Sequence, residues 1–85
     1  MQTPTAEDVT ARFGRAYSRI LRELVEELRR STNLGRQAKR IANSRVAGMR
    51  RALVALLVVD HFMAEEFALS TVLEHIAHVS GGGAR

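Results

Sequence analysis

LGRQAKRIANSRVAGMRRALVALLVV, residues 34–59, decides the reading of this 85-residue chain. Its first two-thirds carry Arg36, Lys39, Arg40, Arg45, Arg50 and Arg51, and its last third is unbroken apolar sequence from Ala52 to Val59. No acid occurs between Leu28 and Val59. Leu34, Ala38, Ile41, Ala42, Met49, Ala52, Leu53 and Leu56 recur at three and four, the spacing of one face of a helix. Arg36, Arg40, Asn43, Arg50 and Arg51 lie roughly opposite. After Arg51 the polar side vanishes, because Val54, Ala55 and Val58 take its place. A helix apolar all round is buried all round, and one neighbouring helix cannot cover it.

Outward from this stretch, both flanks also read as helices. On the N-terminal side, Thr5 and Asp8 resemble an N-cap with an acid at the third helical position. Helix one is expected from about Ala6 to Arg30, on the stripe Val9, Phe13, Ala16, Tyr17, Ile20, Leu24 and Leu28. Arg12, Arg15, Arg19 and Arg22 form a second stripe. Acids stand four residues from several of them: Asp8 with Arg12, Arg19 with Glu23, Arg22 with Glu26, and Glu26 with Arg30. Each such pair stabilises a helix by only about 0.2–0.5 kcal/mol, but together they neutralise much of the stripe. Ser31-Thr32-Asn33 forms the turn into helix two, where Gly48 is a candidate bend. On the C-terminal side Asp60 is the expected cap of a third helix, His61 to Val79. Leu69, Val72, Leu73, Ile76 and Val79 share one side of it, and Met63 and Phe67 the other. Thr71 and Glu74 form a second candidate capping box, with a break near Ser70.

The expected fold is therefore all-α, a three- or four-helix bundle completed by homodimerisation. Residues 1–4 read as a flexible start, 5–80 as one helical domain and 81–85 as a glycine-rich tail. A chain this short has a thin core, and pairing with a second chain is one way to thicken it. The expected interface is Leu53, Leu57, Val58, Phe62 and Phe67, drawn from a buried set of Leu53 to Val59 together with Phe62, Met63 and Phe67. With no cysteine, disulfides and thiolate metal sites are excluded. The apolar run at 52–59 is too short to span a bilayer, and no segment reads as a signal peptide. Cytoplasmic or nuclear residence is the expectation.

Charge is unevenly placed. Twelve of the thirteen cations lie between Arg12 and Arg51, whereas Ala52 to Ala84 holds four acids and no cation. Arg36, Lys39, Arg40, Arg50 and Arg51 lack any acid within a helical turn. A helix about 10–12 Å across fits a DNA major groove, so these five are the candidate nucleic-acid contacts, to DNA or RNA. The scarcity of aromatic residues in the basic half argues against base stacking. The alternative answer to these cations is an acidic surface, such as Glu65, Glu66 and Glu74 of a partner chain. Arg45 continues the apolar stripe and is expected to point inward, towards Glu27 or Glu23, or to snorkel along its methylenes to the surface.

His61 with Glu65, and Glu74 with His78, each offer two metal ligands, which is too few for a site. No nucleophile–His–acid set, phosphate loop or zinc motif occurs, and no metal, cofactor or enzymatic activity is expected. Val25-Glu26-Glu27-Leu28 followed by Asn33-Leu34-Gly35-Arg36 locally resembles the groove-forming segment of Bcl-2 proteins. The resemblance covers 12 residues, replaces the motif's aromatic by Leu34 and is one residue short in spacing, so it carries neither fold nor function to this chain. The function expected is a small regulatory protein that contacts nucleic acid through its basic helix face. The alternatives are an adaptor whose apolar seam holds a partner helix and, third, a small helical enzyme with a cationic pocket around Arg45.

Overall fold

A computed structural model describes residues 6–79, with side chains from Val9 onward. The Thr5–Asp8 capping box, the flexible start and the glycine tail lie outside the described residues or side chains. The described chain is all-α: α1 (Ala6–Phe13), α2 (Arg15–Ser31), α3 (Arg36–His61) and α4 (Glu65–Ala77).

The expected first helix is two helices. The apolar spacing runs through Gly14 without a phase change, but Gly14 adopts φ +96°, ψ 166°, a region essentially reserved for glycine. The break costs few hydrogen bonds. Gly14 N–H still donates to Thr10 O at 2.8 Å, and Gly14 O accepts from Ser18 N–H at 3.1 Å. The Thr10 hydroxyl donates to Ser18 Oγ at 2.7 Å across the kink, and Val9 is buried.

α3 is continuous through Gly48 and passes Asp60. Asp60 is thus the penultimate residue of α3 and caps no third helix. The stop comes at Phe62, in left-handed conformation at φ 55°. The N–H groups of Phe62 and Met63 both turn back to Leu57 O, which satisfies an end carbonyl in the manner of a C-cap motif. α4 starts at Glu65 behind Ala64, which offers no side-chain cap, and runs unbroken past Ser70. Glu65 and Glu66 stand in its first turn, where the helix dipole favours negative charge.

Side-chain contacts give the helix directions. Phe13, just before α2, meets His61 at the end of α3, whereas Glu27 late in α2 meets Arg45 early in α3. The two helices are antiparallel. The core is Val9, Tyr17, Leu21, Leu24, Val25, Leu53, Leu57, Ala68 and Val72. It draws on both flanking segments and on the C-terminal half of α3. The N-terminal half of α3 is far less covered: from Arg36 to Arg45 only Ala42 is buried.

The inward face of α3 is rotated from the expected stripe. Ala42 and Leu53 are buried and Val46, Met49 and Leu56 half-buried, while Leu34, Ala38, Ile41 and Ala52 are exposed. Val46, not Arg45, continues the stripe. α4 is rotated likewise: Ala68, Val72 and His75 are buried, and Leu69 and Leu73 are exposed. Among the described residues no helix is long and apolar enough to cross a membrane.

Candidate nucleic-acid interface

α3 has 26 residues, and at 1.5 Å per residue it is about 39 Å long. Its low-covered N-terminal half and its midpoint present Arg36, Lys39, Arg40, Arg50 and Arg51, all exposed. At 3.6 residues per turn the five fall on one side of the helix with Asn43 and Ala47 between them. Among the described residues none of the five pairs with a carboxylate.

The arginines of α2 are answered in part: among the described residues Arg15 and Arg22 pair with no carboxylate, and three others do. Arg19 pairs with Glu23 at 3.1 Å, Arg29 with Glu26 at 3.9 Å and Arg30 with Glu27 at 3.5 Å. Glu26 therefore serves Arg29 one helical turn on, rather than Arg22 or Arg30. All three arginines are largely exposed, so these pairs are screened by water and neutralise charge more than they stabilise the fold.

Between α3 and α4 lies a shallow concavity of about 160 Å³, lined by Ala47, Arg50, Arg51, Val54, Glu65 and Leu69. Two arginines of α3 and one glutamate of α4 thus line it together with Ala47, Val54 and Leu69. Arg45 is no part of it. Its side chain is 66% exposed and pairs with Glu27 at 3.6 Å. The expectation of a buried guanidinium is overturned, although Glu27 is one of the two partners expected for it. Because Val46 takes the inward position, Arg45 sits outside the helix contact and needs no desolvation.

The expected interface residues separate into two groups. Leu53 and Leu57 are fully buried within this one chain, and Val58 is half-buried. The first two are core residues of the subunit and are not available to a partner. Phe62 and Phe67 are 91% and 62% exposed. Phe62 combines nearly complete exposure with a left-handed backbone, which disfavours a non-glycine residue by about 1–2 kcal/mol.

One polar cluster escaped the sequence reading. Tyr17 and His75 are both buried, and the Tyr17 hydroxyl lies 2.7 Å from His75 Nδ1. Phe13 packs against both rings and, edge-on, against His61. Burial holds the Tyr17 phenol protonated well above its ordinary range, so with the imidazole proton on Nε2 it donates to Nδ1. Burial also pushes His75 below its ordinary value; nearby Glu74 opposes this, and His78 and Arg12 add to it. The signal was available in sequence: His75 stands three residues from Val72 and next to Ile76, on the edge of the apolar side. No group of three or more candidate metal ligands comes together among the described residues.

In comparisons with known proteins, the chain matches no family, no curated sequence and no solved structure.

Proposed function

We propose that this chain is a small helical regulatory protein, a bundle that acts as a homodimer and contacts nucleic acid through Arg36, Lys39, Arg40, Arg50 and Arg51 on α3. The observation that carries the reading is the set of five exposed α3 cations that pair with no carboxylate among the described residues. Three of the five α2 arginines are answered by carboxylates of their own helix, whereas among the described residues none of the five exposed α3 cations is. Unpaired guanidinium groups in a row are suited to phosphates, which accept their forked donors. Phosphate contacts give affinity without sequence preference.

The test is duplex binding by fluorescence anisotropy at two salt concentrations. With about five phosphates neutralised, affinity is expected to fall roughly 10²–10³-fold between 50 and 200 mM salt. Arg40→Ala with Arg50→Ala weakens binding to all sequences alike. No binding to duplex or single strand at low salt rejects the proposal.

A second reading is a protein–protein adaptor. Exposed Leu69 and Leu73, four residues apart on one face of α4, favour it, since apolar side chains left together at the surface mark interaction sites.

A further inference from the structure

The cations of α3 frame a face rather than fill it. With Arg36 as origin and about 100° per residue, Asn43 falls at about −20° and Ala47 at about +20°. Lys39 and Arg50 run along one edge, at about −60° and −40°, and Arg40 and Arg51 along the other, at about +40° and +60°. A centre line thus lies between two basic edges. Its open stretch is N-terminal. From Arg36 to Arg45 only Ala42 is buried, whereas α4 meets α3 around Ala47 to Val54, where Glu65 and Leu69 help to line the concavity.

On that centre line Arg36 is the first residue of the helix, and Ala47 has no polar side-chain atom. Asn43 stands between them. It is exposed, and its carboxamide makes no hydrogen bond among the described residues. The neighbouring polar residues Gln37 and Ser44 fall at about 100° and 80°, outside the edge that Arg40 and Arg51 form.

We propose that this face enters the major groove of double-stranded DNA and that Asn43 reads an adenine there. The proposal rests on the phosphate-contact reading above and adds a base contact to it. In a groove about 12 Å wide, a helix about 10–12 Å across turns its centre line to the base edges and its two sides to the two phosphate backbones. Lys39 and Arg50 then serve one strand, and Arg40 and Arg51 the other. A carboxamide holds a donor and an acceptor side by side, the pair that matches N7 and the N6 amino group of adenine. The positive end of the helix dipole, at Arg36, leads into the groove. The same geometry selects DNA over duplex RNA, whose major groove is too narrow and deep for side chains to read. No aromatic residue occurs from Arg36 to Arg51, so the face has no platform for the stacked bases of a single strand.

The experiment uses the full chain and a pool of duplexes with a randomised central segment. Sequencing of the bound fraction is expected to show adenine enriched at one position. Anisotropy then compares the selected duplex with one carrying G·C in place of that A·T pair. Wild type is expected to prefer the selected duplex by about 5–150-fold, the range of one good bidentate base contact. Replacing that adenine by 7-deazaadenine, which lacks the N7 acceptor, weakens wild-type binding. Asn43→Ala keeps its helical circular dichroism and its salt dependence, binds the two duplexes alike and ignores the deaza substitution. Duplex binding without an adenine preference, or a preference that Asn43→Ala retains, overturns the base contact and leaves the phosphate reading standing. Tighter binding to duplex RNA of the same sequence, or to either single strand, overturns the choice of partner. No binding to any of them at low salt overturns the base contact and the phosphate reading together.

Discussion

The phenol of Tyr17 and Nδ1 of His75 lie 2.7 Å apart across 58 residues of sequence, and neither side chain reaches solvent appreciably. This bond ties α2 to α4, two helices that are not consecutive in the chain. Tyr17→Phe keeps the ring and removes the hydroxyl, leaving the buried imidazole nitrogen without a partner. An unmet buried polar group costs about 1–3 kcal/mol, and the urea midpoint is expected to fall accordingly. An unchanged midpoint would show that the bond is not used.

The same pair sets a pH dependence. The folded state holds His75 below its ordinary value, mainly by burial, while the unfolded chain binds a proton near pH 6.5. The unfolded state therefore binds more protons as pH falls below that point, and stability falls with it. The contribution is complete above about pH 6.5, declines as pH drops towards the folded value of His75, and is constant below it. Urea midpoints between pH 8 and pH 5 are expected to show this step in wild type and a smaller one in His75→Gln. Equal steps in both chains would remove His75 as the cause.

Two glycines are expected to respond oppositely to alanine. Gly14 has a positive φ that disfavours any side chain even though the space is open, so Gly14→Ala destabilises by about 1–3 kcal/mol. Gly48 lies in regular helix with nothing near it, and Gly48→Ala stabilises the subunit by up to about 1 kcal/mol. Thermal melts of the two variants, compared at one protein concentration, read the signs directly. Two shifts of the same sign would contradict the helix geometry.

Leu57 separates core from interface. It is 0% exposed in the single chain, so Leu57→Ala is expected to cost about 2–5 kcal/mol through lost burial and the cavity left behind. Circular dichroism in urea checks this. A well-folded monomeric Leu57→Glu chain would show instead that the residue belongs to a surface.

The all-α class was legible because apolar residues recur at three and four over most of the chain, with one proline near its start. The phase of each helix was not. Arg45 and Val46 are adjacent, and which of them faces inward depends on the angle at which α2 crosses α3, information that no single helix contains. The kink at Gly14 left no mark on the apolar spacing, since Val9, Phe13 and Tyr17 keep step across it. The end of α3 was misplaced because Asp60 carries a capping signal, whereas the residue that stops the helix is Phe62, which carries none. The five exposed cations were found because charge imbalance is a property of sequence alone. The Tyr17–His75 bond was missed because it joins distant segments, and only the position of His75 beside Val72 and Ile76 hinted at burial.

The central claim is that the five α3 cations meet phosphates. Its most direct measurement is the affinity of the full chain for a DNA duplex across a salt series, plotted as log K against log salt. Neutralising five phosphates gives a slope of about −4 to −5, and Arg40→Ala with Arg50→Ala makes it shallower by about 2. A slope near zero, or one that the double substitution leaves unchanged, contradicts the claim.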